Sequence, residues 1–209
     1  NQKILQRTKV FTPKRSTDFA ELCGILIGDG GLTKRQMTIT LNRETDKEYL
    51  EFVVKLLYRI FKIKPKIYKA KKSKAINICI SRTNLITFLN MQGILIGNKL
   101  KQNLSIPEWI IKSQKYLIPC IRGMVDTDGS VVIETHNTKG KKYIYYRLNF
   151  TSASPILIDQ TYQTLKKIGF NPKIRRNGRA VQLEKIEEIC DYFKRIGTSN
   201  PKHLKRLVS

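Results

Sequence analysis

The sequence predicts an α+β protein made of two pseudo-symmetric halves, each with an antiparallel sheet covered on one face by helices. Two observations support this prediction. An apolar nine-residue segment at positions 22–30 returns at positions 121–129, and each copy carries a glycine five residues before an aspartate that is followed by another glycine. Strand-like and helix-like patterns then follow both copies in the same order, α-β-β-α-β-β-α.

In the first half, Asp18 is expected to cap the first helix, with Glu21 as its capping-box partner. Alternating residues predict a half-buried strand over 37–42, and helical spacing predicts a helix that Asp46 can cap and that ends before Pro65. Two further strands over 66–71 and 75–81 and a short helix over 85–90 complete the first half.

The second half repeats this order with its own turn signals. Strands are predicted over 130–136 and 143–151, and Ser154 followed by Pro155 begins a helix. Asn177-Gly178 predicts a two-residue hairpin between strands 173–176 and 179–183, and a last helix follows. We assign residues 1–110 and 111–209 to the two halves. Pro119 lies inside the second repeated segment's helix, which either begins there or bends there.

The repeated segment carries small residues on one helical face. The matching positions of the two copies are occupied by Gly24, Gly28, Gly123 and Thr127. Small side chains let two helix backbones approach closely, so the two copies are predicted to pack side by side in parallel. This packing would bring the two terminal aspartates, Asp29 and Asp128, together at one surface.

A carboxylate at the C-terminal end of an apolar helix is electrostatically disfavoured unless a cation offsets it. Two neighbouring carboxylates either take up a proton or hold hard divalent cations between them. We therefore expect Mg²⁺ at Asp29 and Asp128, with Gly28 and Thr127 as additional ligands. The alternative is that two unrelated helices merely end at Asp-Gly turns.

The charge of the chain points to a polyanionic partner. Forty Lys and Arg against sixteen Asp and Glu give a net charge of +24. Nucleic acid is the first candidate and an anionic membrane surface the second, but no apolar run is long enough to span a bilayer and no signal pattern is visible. The four cysteines lack metal-ligand spacing and are expected to be buried free thiols, and the two histidines are isolated. Because the chain opens on Asn1, we expect either a trimmed chain or a piece of a longer reading frame.

The polar faces of the two sheets are expected to form a basic saddle that fits the major groove of double-stranded DNA. Strand parity selects the groove-facing candidates, with a solvated surface as the alternative: Thr38, Thr40, Asn42, Lys69, Lys71, Arg147, Asn149, Arg175, Arg179 and Gln182. Lysines follow the terminal helix of each half after an Asn-containing turn. Lys99, Lys101 and Lys202 are therefore candidates for a catalytic role beside the aspartates, or alternatively for phosphate contacts alone.

These residues resemble the LAGLIDADG homing endonucleases. The match covers the signature in both copies and the tail segments at 97–99 and 199–205. Two motifs in one chain resemble the single-chain, pseudo-twofold type. The resemblance implies a monomer that cleaves both strands of a long DNA site across its minor groove, leaving short 3′ overhangs. It also implies about two or three Mg²⁺ ions, with Ca²⁺ or Mn²⁺ as substitutes.

The sequence departs from the family pattern in two places. Where family members often carry a water-ordering glutamine, this chain has Asn42, a weak substitute. Asp126 is an extra acid that points about 200° away from Asp128 around the helix, so we interpret it as a support or surface group.

Two functions remain open from the sequence. The first is a site-specific, Mg²⁺-dependent DNA endonuclease of a mobile intron or intein. The second is a nucleic-acid-binding protein on the same scaffold, such as an intron RNA splicing cofactor. Retention of both Asp29 and Asp128 favours the nuclease. The host is expected to be an organelle, mitochondrion or chloroplast, or a prokaryotic cytoplasm.

Overall fold

In the part of the chain that the structure describes, the first element of the first half is the helix that carries the first repeated segment. The computed structural model describes residues 12–208, so the outer limits of the two predicted halves lie outside the described residues. The elements of this half are α1 (Thr17–Ile27), β1 (Gly30–Leu32), β2 (Met37–Asn42), α2 (Lys47–Phe61), β3 (Lys66–Lys69), β4 (Ala75–Ile80) and α3 (Thr83–Met91).

The second half repeats this order after a connecting segment. That segment holds a 3-10 turn at Lys99–Lys101 and the short helix α4 (Glu108–Ile111). The elements of the second half are α5 (Gln114–Asp128), β5 (Gly129–Thr138), β6 (Lys141–Thr151), α6 (Pro155–Lys167), β7 (Lys173–Arg175), β8 (Ala180–Leu183) and α7 (Ile186–Arg195). One more helix, α8 (Pro201–Val208), was not predicted.

Each half contains one four-stranded antiparallel sheet. The strand orders are β1-β2-β4-β3 and β5-β6-β8-β7, so the second sheet repeats the first. The inward residues predicted from alternation, such as Ile39, Ile78 and Leu148, are buried. The predicted fold class is therefore confirmed.

The two sheets differ mainly in the length of their first hairpin. β1 and β2 pair over three residues, from Gly30↔Ile39 to Leu32↔Met37. β5 and β6 pair over ten residues, from Gly129↔Phe150 to Thr138↔Lys141, and β8 supports only the last four residues of β6. The second half therefore extends a two-stranded ribbon beyond its sheet.

A single hydrophobic cluster runs through both halves, with α1 and α5 at its centre. The connecting segment adds to this core, because the Trp109 ring of α4 stacks on Phe19 of α1 at a centroid distance of 5.7 Å. Both helices that carry the repeated segment are therefore fixed by apolar contacts along their length, which positions their ends.

Several local predictions were wrong. The N-cap of α1 is Ser16, whose hydroxyl accepts from the backbone N–H of Phe19, because the helix begins one residue before Asp18. Of the two alternatives for Pro119, a helix start there is excluded, because α5 begins at Gln114 and continues through Pro119. The β7–β8 turn is longer than two residues, because Arg176 and Asn177 both adopt positive φ beside Gly178. Cys190 is exposed, since it lies on the outer face of α7.

Candidate metal and nucleic-acid site

The two repeated segments meet through their small residues. A Cβ on Gly24 would lie 2.1 Å from the carbonyl oxygen of Cys120, and one on Gly123 would lie 2.3 Å from that of Glu21. One turn further, a Cβ on Gly28 would lie 2.1 Å from Thr127 Oγ1. These contacts are related by the internal repeat, so α1 and α5 pack in parallel with their C-terminal ends side by side.

Asp29 and Asp128 lie at these adjoining ends. Helix α1 ends at Ile27 with Gly28 as its C-cap, and Asp128 is the last residue of α5. Asp128 Oδ2 lies 3.2 Å from the position that a Cβ on Gly28 would take. The first residue of β1 and of β5 follows each aspartate directly, so the pair lies where the two sheets meet the helix pair.

Burial raises the pKa of both aspartates and so opposes their ionisation. Burial and then the negative charge of Asp29 raise the pKa of Asp128 to about 6. Burial also raises the pKa of Asp29, while Lys202 and Lys99 oppose that rise. Two neighbouring carboxylates that are both partly buried form a site that a divalent cation would stabilise. No group of three His, Cys, Asp or Glu able to hold a metal ion occurs within residues 12–208, so further ligands would come from backbone, water or phosphate.

Lys99 is bound to the end of α1. Its ammonium donates to the carbonyl oxygens of Leu26, Ile27 and Gly28 at 3.2, 2.7 and 2.7 Å. A lysine at a helix C-terminus stabilises the exposed carbonyls and the helix dipole. The Gly28 carbonyl, predicted as a metal ligand, is thus already an acceptor for Lys99.

The other predicted residues of this region differ in their surroundings. Lys202 forms an ion pair with Asp46 at 2.9 Å, and its charge acts on both Asp29 and Asp128. The Thr127 hydroxyl donates within α5, to Gly123 and Met124. Lys101 is exposed in the 3-10 turn that also contains Lys99.

Asp126 supports the loop after α7. It is buried, and it accepts from the Thr198 hydroxyl and, at 2.7 Å, from the Ser199 backbone N–H. Burial raises the pKa of Asp126 to about 7. Helix α1 joins the same loop, since Ser199 Oγ donates to Glu21 at 2.6 Å. The interpretation of Asp126 as a supporting group agrees with these contacts.

Residues of the loop and α8 also satisfy the end of α5. Asn200 Nδ2 donates to the backbone oxygen of Asp126 and to Asp46 Oδ1, both at 3.1 Å. His203 is hydrogen-bonded to the Asp126 backbone, and burial with the nearby Lys202 charge lowers its pKa to about 4. His203 is therefore a neutral structural group, which its isolated position in the sequence could not indicate.

A cleft of about 560 Å³ opens beside Asp128. Its walls include Lys99, Arg176 and Arg179, and its other side is formed by Thr151 and Ser152 at the end of β6. Three cations around a carboxylate suit a phosphate group that passes the site. Parity selected Arg179, whereas Arg176 was missed because its left-handed backbone places it in the turn rather than in β7.

The strand registers correct the list of groove-facing residues. Thr38 and Thr40 lie on the polar face of the first sheet, and Thr40 donates to Asn77 at 2.8 Å. Lys69 pairs with the buried Ile76 of β4 and therefore lies on the core side of the sheet. The register of β3 is shifted by one residue from the one that the sequence pattern predicted. Lys66 and Tyr68 take the polar-face positions instead.

Two other predicted residues of the first sheet lie at its end. Lys71 lies in the exposed turn beyond β3. Asn42 Oδ1 accepts from the backbone N–H groups of Glu44 and Thr45 and is thus used in a turn.

In the second sheet, Asn149 and Gln182 are on the predicted face but are only 2% and 6% exposed. They lie opposite each other on the two central strands, and Asn149 Nδ2 donates to Ser130 Oγ of β5 at 3.4 Å. They are not presented to solvent, contrary to the prediction.

Arg147 and Arg175 remain accessible and are held by acids that the sequence reasoning missed. Arg147 pairs with Glu134 across the β5–β6 ribbon at 2.6 Å. Arg175 and Lys173 both pair with Glu184, at 2.8 and 2.9 Å. Charge and hydrogen bonding from Arg175 lower the pKa of Glu184 to about 2.

The ribbon adds aromatic rings to the same polar face. Tyr143 and Tyr145 are 45% and 47% exposed, and the Tyr145 ring packs edge-on against His136. A two-stranded ribbon with exposed aromatic and basic residues is a shape that fits a DNA groove.

Comparison with known proteins identifies the family. The family model described as LAGLIDADG-like domain matches residues 16–93 and 116–200, one match for each half. This covers well over half of the chain, and the protein therefore belongs to the LAGLIDADG family.

Two relatives come from Methanocaldococcus jannaschii. An uncharacterized protein is 26% identical over 179 residues, which are 79% of this chain and 60% of that protein. A replication factor C small subunit is 33% identical over 138 residues, which are 59% of this chain and 7% of that protein. The chain thus spans only part of the length of these relatives.

Solved structures show the same fold. The I-LtrWI LAGLIDADG homing endonuclease bound to target DNA matches with a TM-score of 0.63 and 12% identity over 91% of this chain and 87% of that one. I-SmaMI bound to uncleaved DNA in the presence of calcium ions gives 0.58 and 11% over 93% and 89%. I-DmoI in complex with DNA and Mn gives 0.53 and 19% over 87% and 96%.

Among residues 12–208, no helix is long and apolar enough to cross a membrane.

Proposed function

We propose that this protein is a monomeric, metal-dependent endonuclease that cleaves both strands of a specific double-stranded DNA site. The observation that carries the proposal is the pair Asp29 and Asp128, which lie at the adjoining ends of α1 and α5. Burial raises the pKa of both carboxyls, and the charge of Asp29 adds to the rise at Asp128. The structural neighbours that are bound to DNA support double-stranded DNA as the substrate.

The carboxylates of Asp29 and Asp128 would hold divalent ions, and Mg²⁺ is the proposed ion. Such ions supply charge neutralisation at the phosphate and activation of water for in-line attack. The neighbours in complex with DNA and Mn or in the presence of calcium ions support divalent metal use. Both carboxylates come from one chain, so no second copy is needed to complete the site.

The chain's own residues bind and orient the phosphates. Lys99, Arg176 and Arg179 line the cleft beside Asp128 and would contact the DNA backbone there. Lys99 and Lys202, whose charges act on both aspartates, would stabilise negative charge that develops on the phosphate. Arg147 and Arg175, each held by an acid, present ordered guanidinium groups suited to guanine edges.

We further propose that the gene belongs to a mobile element. The matched replication factor C small subunit carries its similar segment within a protein of which that segment is only 7%. A homologous segment inside a host protein supports an inserted element, intein or intron, whose uninterrupted junction is the target.

The test is a selection for cleavage. A randomised duplex library is incubated with the protein and Mg²⁺, and cut molecules are sequenced, with EDTA as the metal-free control. The proposal predicts one enriched site of defined sequence, cut on both strands only with metal. Binding without cleavage in every divalent metal, or metal-independent stimulation of RNA folding, would instead support the splicing-cofactor function.

A further inference from the structure

The two lysines nearest the paired aspartates are anchored by different chemistry. Lys99 donates to three backbone carbonyls at the end of α1. Lys202 pairs with the carboxylate of Asp46, at 2.9 Å. This contact joins the two halves, because Asp46 precedes α2 in the first half and Lys202 lies in the first turn of α8, after the second.

Asp46 occupies a helix N-cap but does not cap its helix. An N-cap side chain normally accepts from a backbone N–H of the first turn, and that bond stabilises the helix. The Asp46 side chain makes no such bond. Its Oδ1 accepts from Lys202 and from Asn200 Nδ2, and its Oδ2 accepts from the Asn42 backbone N–H at 3.0 Å.

The equivalent residue of the other half behaves in the ordinary way. Ser154 is the N-cap of α6, and its hydroxyl accepts from the Leu157 backbone N–H at 3.3 Å. It donates to the Leu104 backbone oxygen at 2.7 Å, in the segment after Lys99. In the first half, the Asp46 carboxylate therefore makes no helix cap and instead holds Lys202.

The Asp46 carboxylate is buried, with 7% of its side chain exposed, and Lys202 is 31% exposed. A buried carboxylate that accepts from three donors holds the Lys202 ammonium in a fixed position. The two lysines also lie in different places, because Lys99 lines the cleft beside Asp128 whereas Lys202 lines a separate cleft with Thr45 and Asn200.

We propose that Asp46 is a positioning residue that holds Lys202 for the hydrolysis of one DNA strand, while Lys99 serves the other strand without such an acid. This inference rests on the proposed endonuclease function. Loss of the Asp46 carboxylate leaves Lys202 mobile and leaves Lys99 in place, so the two strands respond differently. A purely structural role would slow both strands alike.

The experiment uses the duplex that the wild-type protein selects, with a different fluorophore on each strand, under single-turnover conditions with Mg²⁺. Asp46→Asn should slow one strand on the order of tenfold to a hundredfold, the cost of misplacing a group by about 1 Å. The other strand should change little, so nicked duplex accumulates. Lys202→Met should slow the same strand as Asp46→Asn, and Lys99→Met the opposite strand.

Asp18→Asn is the matched control. It also removes a carboxylate from an ion pair, with Arg59 at 2.6 Å, but at the opposite end of α1. Both strands should be cut by this variant at the wild-type rate. Equal slowing of both strands by Asp46→Asn, or slowing of the strand that depends on Lys99, overturns the proposal.

A second measurement follows Lys202 in the protein alone. An amine-reactive reagent is applied briefly, and labelling of Lys202 is compared with that of the more exposed Lys205 by mass spectrometry. Asp46→Asn should raise the labelling ratio, and an unchanged ratio overturns the contact. If the wild type cuts no duplex, the proposed function fails and the strand assignment falls with it, whereas the labelling still decides whether Asp46 holds Lys202.

Discussion

The contact between α1 and α5 gives a prediction whose size can be worked out from the geometry. In Gly24→Ala, the new Cβ would lie 2.1 Å from the Cys120 carbonyl oxygen, more than an ångström short of an ordinary contact. The neighbouring atoms are backbone, so the helices must separate. Overpacking costs about 1–3 kcal/mol, and we expect the upper end here. Replacing glycine by alanine in a helix returns roughly 1 kcal/mol.

The net loss is therefore about 2 kcal/mol for Gly24→Ala, and the same reasoning applies to Gly123→Ala, whose Cβ would meet the Glu21 oxygen at 2.3 Å. For a chain of this length, about 2 kcal/mol lowers Tm by about 4–8 °C. Gly31→Ala is the matched control, because nothing lies within 4 Å of its added Cβ. Differential scanning calorimetry measures all three variants. If Gly24→Ala melts at the temperature of Gly31→Ala, the helices do not meet at this glycine.

Three further predictions concern charge. DNA binding should weaken steeply with salt, by about 0.9 in log K per phosphate contacted per log unit of salt, and Arg176→Ala should flatten that slope by about one contact without changing sequence preference. A slope of only one or two contacts in filter-binding or fluorescence titrations would show that the +24 charge is not gathered on the DNA-binding face. A metal must displace the proton on Asp128, whose pKa is about 6, so Mn²⁺ affinity measured by EPR should fall as the pH falls through 6. Equal Mn²⁺ affinity at about pH 5 and pH 7.5 would contradict metal binding by Asp128. Burial raises the pKa of Asp126 to about 7, so ionisation of Asp126 destabilises the folded protein as the pH rises from the pKa of the unfolded chain toward 7. The Tm of Asp126→Asn relative to that of wild type should therefore increase from about pH 5 to pH 7.5. A Tm difference that does not change with pH would contradict this assignment of the charge.

Local sequence patterns were sufficient to predict much of this architecture. Glycine spacing predicted the parallel packing of α1 and α5, because glycines on one face of each helix allow the two backbones to approach closely. Alternation predicted β2 and the end of β6, where Leu148 and Phe150 are buried, whereas Ile144 in the ribbon beyond the sheet is 49% exposed. Each of these patterns lies within one short segment of the sequence.

Other features depend on contacts that no local pattern carries. The face of Lys69 is set by the register of β3 on β4, and a shift of one residue moves a side chain to the other face. Alternation places Asn149 on the polar face, but its burial depends on contacts with other strands, such as that with Ser130 of β5. The pairing of Asp46 with Lys202 joins residues from opposite halves, and it overrides the capping role that the sequence predicts for Asp46.

The central claim is that Asp29 and Asp128 together form the metal-dependent cleavage site. Its most direct test measures cleavage of the selected duplex with Mg²⁺ by wild type, Asp29→Asn and Asp128→Asn, with DNA binding and Tm measured on the same samples. Each substitution removes a charge that would hold metal but also repels phosphate, so double-strand cleavage should be lost while binding is kept or tightened. Double-strand cleavage at the wild-type rate by both variants, or by the wild type in EDTA, would contradict the claim.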